Sequence, residues 1–288
     1  MRRILQVFYI IFSAALLSLA IPNELYNLGS PLIGFIALIP FYFAYNNFES
    51  YREAFLLSAL HGLITHLLSS FWLAYFKEYA ALTLGASAIG TGLIHGLVGW
   101  FYFLPYAKTK KTSTLRYNQK NYSISFKIIW FVSIYVLWEW VKSCGFLGYP
   151  WGTVSSSMYK FKILTQIADI TGTYGVTFLC VLFSAVVAEA IMLLQNKWEE
   201  GASSSFFGLR NCFILLAVLF CADLVYGVYR THSLKSPVKQ INTIMVQQNS
   251  DPWKNISDED TILVSQKLTD QAFETAKENG ERVDLVVW

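Results

Sequence analysis

The sequence predicts a polytopic α-helical membrane protein of about seven spans, followed by the opening of a small α/β unit. Composition, the spacing of the apolar runs and a change of charge near residue 240 carry this reading. Of the 288 residues, 55% are hydrophobic and 14% charged, with a mean hydropathy of +0.42. That is too apolar for a soluble chain of this length. Residues 1–240 hold 18 Lys+Arg against 10 Asp+Glu, whereas residues 241–288 hold 4 against 9. The cations lie in short connections between apolar runs, so they report topology rather than a nucleic-acid-binding face.

A bilayer core requires about 20 apolar residues per helix. Runs of that kind are Ile4–Ile21, Pro31–Phe48, Ala54–Phe76, Tyr79–Ala107, Phe126–Val141, Ile163–Leu194 and Asn211–Tyr229, the first part of the sixth being interfacial. Arg2 and Arg3 ahead of an apolar stretch resemble a signal peptide, but no small-residue cleavage site precedes Pro22, so an uncleaved first helix is expected. Placing the N-terminus in the cytoplasm puts Arg2, Arg3, Arg52, Lys127, Lys197, Arg210 and the basic 108–120 segment inside, leaving only Lys77, Lys142, Lys160 and Lys162 in the short outer loops. This is the positive-inside bias, and it delivers everything after Tyr229 to the outer side. The domains expected are a transmembrane domain, 1–234, and an extracytoplasmic one, 235–288.

The tail has a different pattern. Ile241–Asn249 is short and β-branched and is expected to be a buried strand. Ser257 with Asp260 resembles a capping box and predicts a helix start. Its apolar positions are Ile262, Leu268, Ala272, Phe273 and Ala276, Gly280 supplies the stop, and Val283–Trp288 is the second strand. One β-α-β unit is too small to bury a core, so the domain is expected to be cut off.

The densest unusual sequence runs from Trp138 to Gly152. Glu139 near the end of a span is costly in hydrocarbon and needs protein, water or a basic partner such as Lys142. Composition alone favours an interfacial aromatic belt whose charge escapes to the headgroups. The sharper alternative is a pocket wall, in which glycine-flanked Tyr149, Pro150 and Trp151 form a non-helical loop presenting flat rings where acyl chains meet water. His61, His66 and His95 are expected to be satisfied polar residues, since a five-residue separation makes His61 and His66 a poor metal pair. Gly85, Gly90, Gly92, Gly96 and Gly99 point to close helix packing. Cys144, Cys180, Cys212 and Cys221 show no ligand or disulfide spacing. Asp169 and Asp223 have no obvious basic partner.

Trp138-Glu139-Trp140 leading into Gly148–Gly152, then the Asp169–Gly175 turn and another span, is similar to the apolipoprotein N-acyltransferase segment that carries a Gly-Phe-Pro-Trp motif, here with Tyr149 in place of Phe. Met245–Asn249, Trp253, the amphipathic helix and Leu285–Trp288 resemble the opening of that family's nitrilase-like (carbon-nitrogen hydrolase) domain. The resemblance covers essentially the whole chain and implies a truncated α/β nitrilase-like domain after the spans. It places the protein in the bacterial inner membrane. It also implies acyl transfer from a membrane phospholipid, through a cysteine thioester, to the α-amine of a diacylated apolipoprotein in lipoprotein maturation. Glutamate serves as the base and lysine stabilises the oxyanion.

In the family the strand ending at Trp288 continues with Pro-Glu, and the lysine and cysteine lie further on. None of the four cysteines present can substitute, because each precedes the hydrolase domain. The expectation is therefore no catalytic residue within these 288, no transferase activity from this chain alone, and no cofactor or metal. Trp253 matches a tryptophan near the family's active site and is a lipid-contact candidate. Glu139, Tyr149, Pro150 and Trp151 match the membrane-side motif, with a structural role in that loop first and substrate contact second. Two readings of other classes stand beside this one: a non-catalytic scaffold or lipid-binding remnant, and a small transporter using Glu139, Asp169 and Asp223.

Overall fold

The computed structural model describes residues 2–24, 26–106, 123–145, 148–195, 202–233, 239–249 and 257–288. They belong to two compact units, Met1–Ser233 and Leu234–Trp288.

The first unit is helical. Its α-helices are α1 (Arg2–Ala20), α2 (Pro31–Ile36), α3 (Ile39–Tyr45), α4 (Tyr51–Ser69), α5 (Ser87–Phe103), α6 (Ile124–Ser143), α7 (Ala168–Thr171), α8 (Thr173–Gln195) and α9 (Ala202–His232). A 3₁₀ segment, Phe71–Tyr79, and a π-helical one, Ala81–Ala86, lead from α4 into α5, and a 3₁₀ turn, Val154–Met158, follows α6. Among the described residues, five helical stretches are long and apolar enough to cross a membrane: Arg2–Ala20, Ala81–Tyr106, Ile124–Ser143, Thr173–Gln195 and Phe206–His232.

Two of the expected runs are interrupted or cut short, and two more have other bounds. Pro31–Phe48 is divided into α2 and α3, with Ala37 and Leu38 between them. Pro40 has no N–H to give the Ile36 carbonyl, so a continuous helix is interrupted there. Ala54–Phe76 is helical only to Ser69. That helix, α4, is as long as α1 but carries Arg52, Glu53, His61 and His66 and is not among the five. The sixth run begins its helix at Thr173 rather than Ile163, because Gly172 takes φ +64° and separates α7 from α8. The seventh is longer than its apolar core suggested.

The helices pack through two devices. Gly92, Gly96 and Gly99 bring α5 against α4: a Cβ on Gly99 would lie 2.6 Å from Ser58 Oγ and 2.7 Å from the Ala54 carbonyl. Gly85 and Gly90 face open space, so the packing explanation holds for only part of that glycine series. Gly99→Val is expected to lower stability by about 1–3 kcal/mol, the usual cost of overpacking, read as a drop in thermal unfolding temperature in a nanodisc. The second device is an aromatic core between α3, α5 and α6. Phe41 lies 5.6 Å from both Tyr102 and Phe131, and Phe131 is 4.9 Å from Tyr42 and 5.1 Å from Tyr45, centroid to centroid. All five rings are fully buried.

The second unit is one β-α-β motif. Strands β1 (Thr243–Met245) and β2 (Leu285–Val287) pair in parallel, joined by α10 (Asp258–Glu278). Ser257 caps the helix as expected: its Oγ accepts the Asp260 N–H at 3.0 Å, while the Asp260 carboxylate accepts the Ser257 hydroxyl at 2.8 Å rather than the Ser257 backbone N–H of a full capping box. Gly280 takes φ +69° just beyond the helix. Leu268, Ala272 and Ala276 share the less exposed face with Ser265 and Thr269, whereas Ile262 and Phe273 are exposed. The expectation of a buried first strand fails, since Met245 is 82% exposed. One helix and two strands supply too little cover to bury both faces of a sheet.

Candidate functional site

The segment singled out in sequence forms a loop sewn to the ends of α4, α6 and α8. Glu139 lies one turn before the end of α6 and is 2% exposed. One carboxylate oxygen accepts the Val154 N–H at 2.6 Å, and the other accepts the Thr177 hydroxyl of α8. The first bond satisfies a free N–H at the start of a helical turn, where a negative charge is favoured. Glu139 thus turns into the protein rather than out to the headgroups, which corrects the belt reading. Lys142 does not pair with it in an ion pair but donates to the Gly152 carbonyl at 3.1 Å.

The loop itself closes the open ends of two helices. The Tyr149 N–H donates to the Lys142 carbonyl at 2.7 Å, in the last turn of α6. Trp151 Nε1 donates to the carbonyl of Ser69, the last residue of α4, at 3.0 Å, and the Tyr149 hydroxyl donates to Ser70 Oγ at 3.1 Å. Helix C-termini leave such carbonyls without partners, and here a backbone N–H from Tyr149 and the indole N–H of Trp151 supply them. Gly152 sits at φ +71°, where an added Cβ would also meet Ser69 Oγ at 2.7 Å. Only glycine serves both needs. Pro150 and the outer face of Trp151, 46% exposed, are left on the surface. Trp151→Phe keeps that apolar face but removes the indole N–H. It is expected to cost about 1 kcal/mol, seen as a lower unfolding temperature.

The other candidates fall apart from this loop. Trp253 lies outside the described residues. Asp169 has the basic partner that sequence reasoning did not find, Arg230 of α9 at 2.9 Å, and also accepts the Tyr226 hydroxyl at 2.8 Å. Asp223 is buried on α9, and neither of its oxygens has a hydrogen-bonding partner among the described residues. His61 meets Ser13 Oγ at 3.3 Å, and His66 meets Ser87 and Thr91. His95 departs from the expectation of a satisfied residue, because among the described residues neither ring nitrogen has a partner, and the ring stacks on Trp138 at 4.1 Å. Ser69, Ser70, Val154 and Thr177 were missed as parts of the site. Their contribution is a backbone group or a small hydroxyl, which leaves little trace in sequence.

A family model described as the apolipoprotein N-acyltransferase N-terminal domain matches residues 13–186, the stretch that holds this loop. "Apolipoprotein N-acyltransferase 2" of Treponema denticola is 36% identical over the whole chain. The chain belongs to the apolipoprotein N-acyltransferase family. The Treponema pallidum protein called "Apolipoprotein N-acyltransferase 2" is 36% identical over 91% of the chain, and the Borreliella burgdorferi "Apolipoprotein N-acyltransferase" is 27% identical over 96%. The chain spans about half the length of these family members, 52%, 44% and 48% respectively.

Proposed function

We propose that this chain is the membrane platform, with the opening of the hydrolase-like domain, of an enzyme that transfers an acyl chain from a phospholipid to the N-terminal diacylglyceryl-cysteine of apolipoproteins. The observation that carries the reading is the match of the whole chain to proteins of that name. The buried Glu139 clamp supports it, because it fixes a non-helical aromatic loop at the end of the helices, where an amphiphile's polar and apolar parts meet. In this reading Glu139 is structural, while Tyr149, Pro150, Trp151 and Trp253 are the lipid-contact candidates.

The chemistry proposed is two acyl transfers. A cysteine thiolate attacks the phospholipid ester, forming a C–S bond as the C–O bond breaks and the lysophospholipid alkoxide takes a proton. The lipoprotein α-amine then attacks the thioester, forming the amide, losing its proton to the base and releasing the thiol. The base, lysine and nucleophile are assigned to the part of the family's length outside these residues, so the 288-residue chain alone should not transfer acyl groups. The platform is proposed to have seven spans, with α2–α3 and α4 joining the five apolar stretches, the N-terminus cytoplasmic and residue 239 outside. A periplasm-active reporter fused after Lys239 should be active, and activity only from a cytoplasm-active reporter would refute the span count.

The functional test uses two preparations: the chain alone, and the chain joined at Trp288 to the remaining segment of the Treponema denticola relative. Each receives a phospholipid with a labelled acyl chain and a diacylated lipopeptide. Label should reach the lipopeptide only with the joined protein. A folded, protease-resistant joined protein that transfers nothing would overturn the reading, and transfer by the chain alone would overturn the placement of the chemistry.

A further inference from the structure

A cavity of about 660 Å³ lies between the start of α4 and the end of α5. It is separated from Ser69 and the aromatic loop by most of α4, roughly 25 Å at the rise of an α-helix. On α4 it is lined by Tyr51, Arg52, Phe55 and Leu56, whose spacing puts them on one stripe, and α5 and the turn after it add Trp100, Phe101 and Leu104. The volume is that of a small-molecule site. Its walls are almost wholly apolar, and Tyr51 and Arg52, at the first turn of α4, are among the residues that line it.

Arg52 is exposed and makes no ion pair among the described residues. The neighbouring acids are already engaged, Glu49 with Arg2 and Glu53 with the Glu49 N–H at 2.7 Å. The mouth opens on the outside of the helices: Leu56 is 51%, Trp100 46% and Leu104 46% exposed. An apolar slot with an arginine among its lining residues is complementary to an anion carrying a hydrocarbon chain. Guanidinium pairs with phosphate through two parallel hydrogen bonds, and Tyr and Trp beside it mark the level at which lipid headgroups sit. We propose that this groove is a phospholipid-binding site, with one acyl chain lying between Phe55, Leu56, Trp100 and Leu104 and the headgroup phosphate on Arg52. The inference rests on these helices crossing a bilayer and is independent of acyl transfer. With the N-terminus cytoplasmic, the lipid belongs to the inner leaflet, in contrast to one reacting beside the aromatic loop.

The test places the 288-residue chain in phosphatidylcholine nanodiscs doped with phosphatidylglycerol whose acyl chain carries a photoactivatable diazirine, and maps the adducts by peptide mass spectrometry. Adducts should concentrate on Phe55, Leu56 and Trp100–Leu104. Arg52→Gln, a change at an exposed residue, should lower their yield about tenfold, the equivalent of about 1.4 kcal/mol, while adducts on the exposed α9 residues Val218 and Val225 persist. Leu56→Trp, which fills the slot, should lower the same adducts with Arg52 intact. Equal adduct density on α9 and at the groove, or indifference to Arg52→Gln, would each overturn the proposal.

Discussion

Glu139→Ala should be among the most damaging single substitutions in the first unit, lowering its stability by about 3–5 kcal/mol. The carboxylate accepts one bond from the Val154 backbone and one from Thr177, in a place with 2% exposure. Removing it leaves two buried donors with no acceptor, at about 1–3 kcal/mol each, and opens a cavity beside them. That is a large part of the total stability of a typical domain. Glu139→Gln should cost much less, because the amide oxygen still accepts from Val154 and the Thr177 hydroxyl can turn to accept from the amide. Thermal unfolding in nanodiscs reads the difference, and limited proteolysis between residues 144 and 153 reads whether the loop has come loose. A carboxylate that merely reached the headgroups would be dispensable, so an unchanged unfolding temperature for Glu139→Ala would sink the clamp.

What the sequence disclosed here was local. Apolar runs located the helices, Ser257 with Asp260 located the start of α10, and the glycines around Tyr149-Pro150-Trp151 marked a loop that no helix could continue through. The interruption at Pro40 was equally local but lay hidden inside an apolar run, where hydropathy outvotes backbone chemistry. The partners of Glu139 and Asp169 were beyond reach. Thr177 is 38 residues from Glu139, Arg230 is 61 from Asp169, and each contact exists only because two helices come together. Proximity in sequence pointed instead to Lys142 for Glu139, and helical spacing does bring the two near, yet Lys142 spends its donor on Gly152. The exposure of β1 was misjudged for a related reason. β-branched composition reports a preference for strand, while burial depends on which other elements cover it.

The second large effect is expected at the opposite ends of α6 and α8, where Lys127 and Glu189 form an ion pair at 3.0 Å with side chains 13% and 3% exposed. Tyr42 adds a hydroxyl, donating to the same carboxylate oxygen at 2.7 Å, so α3, α6 and α8 meet on one group. Glu189→Leu should cost about 3–5 kcal/mol, because it strands an ammonium and a phenol in a space built for their acceptor. Lys127→Met combined with Glu189→Leu removes both charges and leaves only the Tyr42 hydroxyl unpaired. The double variant should therefore be more stable than Glu189→Leu alone, and adding Tyr42→Phe should bring it closer still to the original. This ordering follows from desolvation: two charges taken from water gain little net energy from each other, whereas one left alone keeps the full penalty. Unfolding temperatures of the single, double and triple variants measure it directly. A double variant as unstable as the single one would mean that the pair contributes a net attraction of several kcal/mol, and that charge, rather than the shape of the surrounding side chains, holds these three helices in register.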